Sequence, residues 1–508
     1  MATGIYEKAK AEIRQQLLAS GVVGEAASSF QTPKAVLNEN VLQILWRDRH
    51  LRADGLRTVS GKSLEIKEPG RWNRKGGPDF LGAKLLINGE FVTADVEVHL
   101  NAEDWERHGH HEDFIYNNVA LHAVLHRNDR AAHDERQNGQ RVERLDLATA
   151  FYPDLDTLLR TVELDEMDMP DEAPRGVCQE IMQGLKTEFL EKFLDAAGWQ
   201  RLEAKRHRFE QQAVGESLEQ VFYQALMTSL GHQSNKPLFF LLAKRTPVAE
   251  LEDYTQGLGV SERGESLEAV LLHVGGLMGE PSLVDDEETV AYRARLDRHW
   301  ETLRPYFTDR LIPPTNRWYD GVRPVSFAPR RLAGIARFLA RAFVSGGPLA
   351  ALCNAMRQGM ASSGDKRTAV ATLKLLQGLV QVDSVQSFWA RRYSWRSAPH
   401  PKALGLIGEG QARSVIFNAL LPVALLEARR LSDGELESAV KTLFNHFPRL
   451  ESNSILRFMH QRLFGGDGRV RKLIKTERHQ QAFYQLYQDC CNGNEKDCSS
   501  CSFLTNLH

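Results

Sequence analysis

From Phe91 to Leu100 the side chains alternate between two kinds. Val92, Ala94, Val96, Val98 and Leu100 fall on one face of an extended strand. Thr93, Asp95, Glu97 and His99 fall on the other, because successive strand side chains point to opposite faces. Two carboxylates and an imidazole in one row repel or crowd one another unless water, a cation or a basic group offsets them. Taken alone, the alternation also fits an antiparallel strand with one solvated face. A further carboxylate arrives nearby: Gly76-Gly77-Pro78-Asp79 leads into a second strand candidate, Phe80 to Ile87.

Between the two strands stands Asn88-Gly89, the strongest short hairpin signal. A two-residue turn there pairs Ile87 with Glu90. In that ideal register Phe80 falls opposite Glu97 and Asp79 opposite Val98, so Asp79 points away from Glu97. A bulge near Gly82, or release of the strand at Pro78, is required to bring the two carboxylates to one face.

The surrounding elements supply a frame. Tyr6 to Ala19 reads as an amphipathic helix. Val36 to His50 reads as another, with Asn38 or Thr32 as cap and Glu39 in its first turn. Leu64 to Lys67 is a short strand candidate. After the hairpin, Asn101 to Asn117 is partly helical, Val119 to His126 a strand, and Arg141 to Leu147 one more. The acidic segment Glu163 to Pro174 marks a boundary. Beyond it the pattern is helical, as in Leu185 to Gln211, Leu218 to Leu230, Pro329 to Val344, Arg367 to Val380, Ala412 to Leu431 and Glu435 to Asn445. The chain thus divides into an N-terminal helix (1–24), an α/β domain (25–165), a large and mostly α-helical region (175–485) and a cysteine-rich tail (486–508).

The order α-β-β-β-α-β, with Pro78-Asp79 before a hairpin and Glu97-Val98-His99 after it, resembles the PD-(D/E)XK nuclease superfamily. That resemblance implies a mixed sheet in which Asp79 and Glu97 hold Mg²⁺ (or Mn²⁺), with help from Glu39. The cation would polarise a phosphodiester and activate a water. The superfamily usually carries Lys where this chain has His99; an imidazole can also orient or deprotonate a water. The segment is similar, too, to an uncharacterised bacterial family of unknown function. The similarity lies in Gly77-Pro78-Asp79-Phe80, Asp95-Val96-Glu97-Val98-His99, Asp104-Trp105, His108-Gly109-His110-His111 and Tyr116-Asn117-Asn118-Val119-Ala120-Leu121-His122.

Histidines follow the acidic strand closely. His110 or His111 is expected to approach the carboxylates and bind metal or a substrate phosphate. His122 and His126, on an apolar strand, read as core or edge residues. A zinc hydrolase built from Glu97, His99 and these histidines is an alternative, although the spacing matches no standard zinc motif. A second metal site is expected in the tail, where Cys490, Cys491, Cys498 and Cys501 crowd together. It would hold either Zn²⁺ or an iron–sulfur cluster, and the latter could recruit Cys178.

Three basic stretches stand out. Arg201, Lys205, Arg206 and Arg208 share one segment, and Arg469, Arg471, Lys472, Lys475 and Arg478 another; both read first as solvated faces. Arg71, Arg74 and Lys75 precede Asp79, where a polyanion would approach, and are the nucleic-acid-binding candidates.

The 508 residues carry a net charge of -2, so no global field draws the chain to nucleic acid or membrane. No run of eighteen apolar residues is present, and the first residues lack a secretory apolar core, so a cytoplasmic protein without membrane contact is expected. Six cysteines in this length do not make a disulfide scaffold. The leading expectation is Mg²⁺-dependent cleavage of a nucleic-acid phosphodiester. The rivals are a non-enzymatic nucleic-acid- or protein-binding protein on a degenerate nuclease fold, and a metal-dependent hydrolase of another substrate.

Overall fold

The computed structural model describes residues 37–161 and 175–492, apart from 53, 74–75, 128–130, 177, 283–284, 361–363 and 384–386, together with 169 and the isolated positions 4, 6–8 and 11. All of the Glu163 to Pro174 boundary but Met169, together with Thr32, Arg74, Lys75, Cys498, Cys501 and most of the Tyr6 to Ala19 helix, lies outside the described residues. The chain falls into two compact units, one of Ser29–Met167 and the other of Asp168–His508 with Met1–Ser28.

The first unit opens with helix α1 (Glu39–Arg47), whose N-cap Asn38 accepts the amide of Val41 at 3.1 Å. A seven-stranded mixed sheet follows: β1 (Leu64–Glu68), β2 (Arg71–Trp72), β3 (Phe80–Ile87), β4 (Glu90–Asn101), β5 (Val119–His126), β6 (His133–Glu135) and β7 (Arg141–Asp146). Its order is β1-β3-β4-β5-β7-β6, with β2 on the β3 edge. β1, β3 and β4 form an antiparallel meander; β5 runs parallel to β4, and β7 parallel to β5. A short helix, Asp104–Arg107, and a 3-10 turn, Phe114–Asn118, connect β4 to β5. The short strands β2 and β6 carry no alternation long enough to be read from sequence.

The apolar face of the sheet packs Val96, Val98, Leu121 and Ala123 against Leu42 and Trp46 of α1. Strand β4 is buried on both faces from Ala94 to His99. The solvated-face alternative for Glu97 and His99 is therefore wrong. A strand with a parallel neighbour on one side and connecting segments above it is central, not superficial.

The second unit is helical, as the sequence pattern predicts. Thr187–Gln212, Leu218–Leu230, Ala328–Ala342, Lys366–Val380 and Gly434–His446 match the expected segments to within a few residues. The Ala412 to Leu431 segment contains a π turn at Ile416–Leu420. In this unit's core, Glu268 accepts from Arg337 at 2.5 Å and from the Trp389 indole at 2.7 Å, so its buried charge is paired. No single helix among the described residues is long and apolar enough to cross a membrane.

Candidate metal centre

The β3–β4 hairpin begins as its sequence dictates. Asn88 and Gly89 both take positive φ, and Ile87 pairs with Glu90. The register then holds through Ala83↔Ala94 and shifts, so that Phe80 faces Val96. Strand β3 spends one extra residue between these pairs, a β-bulge at Leu81-Gly82. Gly82 adopts φ 66°, and its amide donates to Asp95 Oδ1 at 2.9 Å. Asp95 thus fastens the bulge, and the shifted register carries Asp79 across from Glu97.

The two residues are tied by backbone as well. Asp79 N–H donates to Glu97 Oε2 at 2.9 Å, and Val98 N–H donates to Asp79 Oδ2 at 3.0 Å. Burial first, and then the Glu97 charge, push the Asp79 carboxyl well above its usual range, against the Val98 amide. Burial and the charge of Glu39 push Glu97 up to about 8, against the amide of Asp79. Glu39 is itself raised by burial, against the nearby charge of His108 and the backbone of Leu100. Gln43, one turn along α1 from Glu39, works against the rise at Asp79. Three carboxylates therefore feel one another in a partly desolvated site, an arrangement that a cation relieves.

A second group of side chains lies on the other oxygen of Glu97. Glu97 Oε1 is 3.4 Å from His99 Nε2 and 3.4 Å from His110 Nε2. His108 Nδ1 lies 3.3 Å from His99 Nε2. Among the described residues, His99, His108 and His110 are the one group of three metal-ligating side chains with all ligand atoms within 4.8 Å of one another. Tyr116 stacks on His110 with ring centroids 3.9 Å apart, and burial with the charges of Glu97 and Asp79 raises its hydroxyl. Burial and the neighbouring imidazoles hold His99 down to about 2; burial likewise holds His110 down to about 4. Both rings are neutral.

Behind His99 runs a buried chain. His99 Nδ1 meets His122 Nε2 at 2.9 Å, and His122 Nδ1 meets Asp134 Oδ2 at 2.8 Å. Arg144 grips both oxygens of Asp134, with Nε on Oδ2 at 2.7 Å. His122 is fully buried on β5, directly across from Glu97 in the parallel register.

Of the sequence candidates, Asp79, Glu97, Glu39, His99 and His110 come together. His111 does not; it turns to Glu112 at 3.5 Å and is half-exposed. His126 is exposed at the end of β5. His108 and Tyr116 were visible in the sequence but carried no assigned role. Asp134 and Arg144 gave no signal, because they sit on an edge strand and its neighbour, and only the sheet order brings them behind His122. Arg71 is exposed on β2. Cys178, Cys490 and Cys491 are buried in the helical unit.

Several residues of the other two basic stretches are engaged within the helical unit, while Lys472 and Lys475 are exposed, as a solvated face requires. Arg201 and Lys205 are 6% and 4% exposed and donate to Gln488 and Asn418. Arg206 pairs with Glu203 and Glu210, Arg469 with Asp467, and Arg478 with Asp195. The reason lies in the packing: the long Thr187–Gln212 helix is covered along its length by Glu477–Leu486 and by Leu421–Leu431.

A family model described as a protein of unknown function (DUF2851) matches residues 39–454. No curated protein and no solved structure matches the chain.

Proposed function

The chain belongs to the DUF2851 family, and we propose that its N-terminal unit is a metal-dependent phosphodiesterase acting on nucleic acid, of the PD-(D/E)XK kind. The observation that carries the reading is the Leu81-Gly82 bulge, which turns Asp79 back toward Glu97 beside Glu39. Without it the Pro-Asp motif would lie on the wrong face. The antiparallel meander leading through a short helix into a parallel strand supports the same reading.

In this scheme Asp79 and Glu97 hold a hard divalent cation such as Mg²⁺ through carboxylate oxygens, with Glu39 aiding from α1. The cation supplies Lewis-acid polarisation of the phosphodiester and a water of lowered pKa. The chain's own residues do the rest. The amides of Asp79 and Val98 fix the carboxylate geometry. His99, a neutral imidazole where the superfamily has a cationic Lys, offers a lone pair that orients the attacking water rather than a positive charge. Arg71, exposed on β2 beside the strand that leads from Asp79, offers a phosphate contact.

The test is cleavage of single- and double-stranded DNA and RNA by the full chain with Mg²⁺ or Mn²⁺. Metal-dependent cleavage that disappears in Glu97→Gln and in Asp79→Asn is expected. Cleavage unchanged in both variants overturns the assignment. Nucleic acid bound but never cut, with any of these cations, would favour the binding-protein alternative.

A further inference from the structure

His108 and His110 are not needed by a carboxylate-bound Mg²⁺, and their geometry with His99 and Glu97 makes a separate demand. The hydrogen-bond chain behind His99 fixes where its protons are. Asp134, gripped by Arg144, is a carboxylate and only accepts, so His122 Nδ1 carries a hydrogen. With Arg144 already neutralising Asp134, the buried His122 is neutral and its Nε2 is a lone pair. His99 Nδ1–H donates to that lone pair at 2.9 Å. His99 Nε2 is then a lone pair as well, and it faces Glu97 Oε1, another acceptor, across 3.4 Å. Two buried acceptors that close repel unless a proton or a metal ion lies between them.

His110 repeats the observation independently. It is 7% exposed, its Nε2 has no hydrogen-bond partner, and that atom also lies 3.4 Å from Glu97 Oε1. His108 Nδ1 closes the group at 3.3 Å from His99 Nε2. Ligands at about 2.0–2.1 Å from one tetrahedral ion stand about 3.3–3.4 Å apart, the spacing of these three of the six pairs among four ligands; the three imidazoles as a group have ligand atoms within 4.8 Å of one another.

We infer that His99 Nε2, His108 Nδ1 and His110 Nε2, with Glu97 Oε1, form a binding site for a first-row transition-metal ion of the zinc class. Three imidazole nitrogens select such an ion over Mg²⁺ or Ca²⁺, which prefer all-oxygen shells. Arg144, Asp134 and His122 are its positioning residues, setting the His99 tautomer as carboxylate–histidine pairs do behind metal ligands. His108 is exposed while His99 and His110 are buried, so the ion meets solvent on the His108 side and protein on the others. This inference rests on the proposed phosphodiesterase reading only in sharing Glu97 and His99 with that centre, and it does not depend on cleavage. Its Oε1 faces the histidines and its Oε2 faces Asp79.

The experiment is Co²⁺ titration of the chelator-treated full chain, read by visible absorption, with Zn²⁺ as competitor. One equivalent of Co²⁺ giving the intense absorption of a four-coordinate nitrogen–oxygen site, displaced by one equivalent of Zn²⁺, is expected. His108→Ala, an exposed position that leaves the fold intact, and His110→Ala should each weaken binding at least tenfold. Asp134→Asn should weaken it roughly 10- to 100-fold, which a merely structural role would not do while circular dichroism is unchanged. Asp79→Asn should keep the cobalt spectrum while abolishing any Mg²⁺-dependent cleavage, so the two proposals fail separately. No cobalt absorption at stoichiometric metal, or a spectrum unchanged in His108→Ala and His110→Ala, overturns the site.

Discussion

Asp79 grips Glu97 through its own backbone: its amide donates to Glu97 Oε2 at 2.9 Å, while its carboxylate accepts the amide of Val98 at 3.0 Å. Each carboxylate is thus positioned by main chain, whose geometry follows from strand register alone. The register is displaced by one residue at Leu81-Gly82, and the site exists because of that displacement.

Substituting Gly82 tests the bulge directly. A Cβ there meets no atom within 4 Å, so only the left-handed backbone opposes it. Gly82→Ala should cost about 1–2 kcal/mol and weaken metal-dependent activity at the Asp79–Glu97 site. Gly89→Ala, also at positive φ and also unobstructed, should cost a similar amount and leave the activity intact. Equal activity losses in the two variants would detach the bulge from the site.

Glu97 should make the metal-free protein's stability depend on pH. Its carboxyl is pushed up from 4.5 to about 8, so the folded chain holds a proton that the unfolded chain releases. The stabilisation is full below about pH 4.5 and is lost as pH rises through about 8. Glu97→Gln carries no charge, so its melting temperature relative to the parent should rise between about pH 5 and about pH 9. Parallel melting curves across that range would show that Glu97 ionises normally.

Metal should stabilise the folded chain by mass action. At a free ion concentration about 100 times Kd the gain is about 2.7 kcal/mol, readable as a shift in Tm. Glu97→Gln should lose this gain for Mg²⁺ and Zn²⁺ alike, because both proposed sites use its carboxylate. Asp79→Asn should lose it for Mg²⁺ alone. A Zn²⁺ shift undiminished in Glu97→Gln would remove Glu97 from the histidine site.

The Arg144–Asp134 pair is buried, at 5% exposure for each partner. Asp134→Ala removes the buried carboxylate that Arg144 grips through both oxygens. A loss of about 3–5 kcal/mol is expected, measured by denaturant unfolding. A loss well under about 1 kcal/mol, the scale of an exposed pair, would mean that the pair is solvated.

Much of the site was legible in the sequence. Period-two alternation marked β4, Asn88-Gly89 fixed the hairpin, and Pro78-Asp79 with Glu97-Val98-His99 named three of the side chains that the fold brings together. Asn38 marked the start of α1, and with it Glu39. These signals are local: each depends on a few neighbouring residues and the period of a strand or helix. The bulge at Gly82 could be stated as a requirement, because the hairpin register left Asp79 facing away without it.

What the tertiary structure decided is everything that joins distant segments. His122 and Asp134 come from strands on the far side of β4, and Arg144 from a third. Their alignment behind His99 follows from the parallel pairing of β4, β5 and β7 and the antiparallel return of β6. The choice of His110 over the adjacent His111 was likewise settled by the turn after Asp104–Arg107, which buries one ring and exposes the other. Sheet order and side-chain direction arise from the burial of whole faces, a sum over many contacts, and no short window of sequence contains that sum.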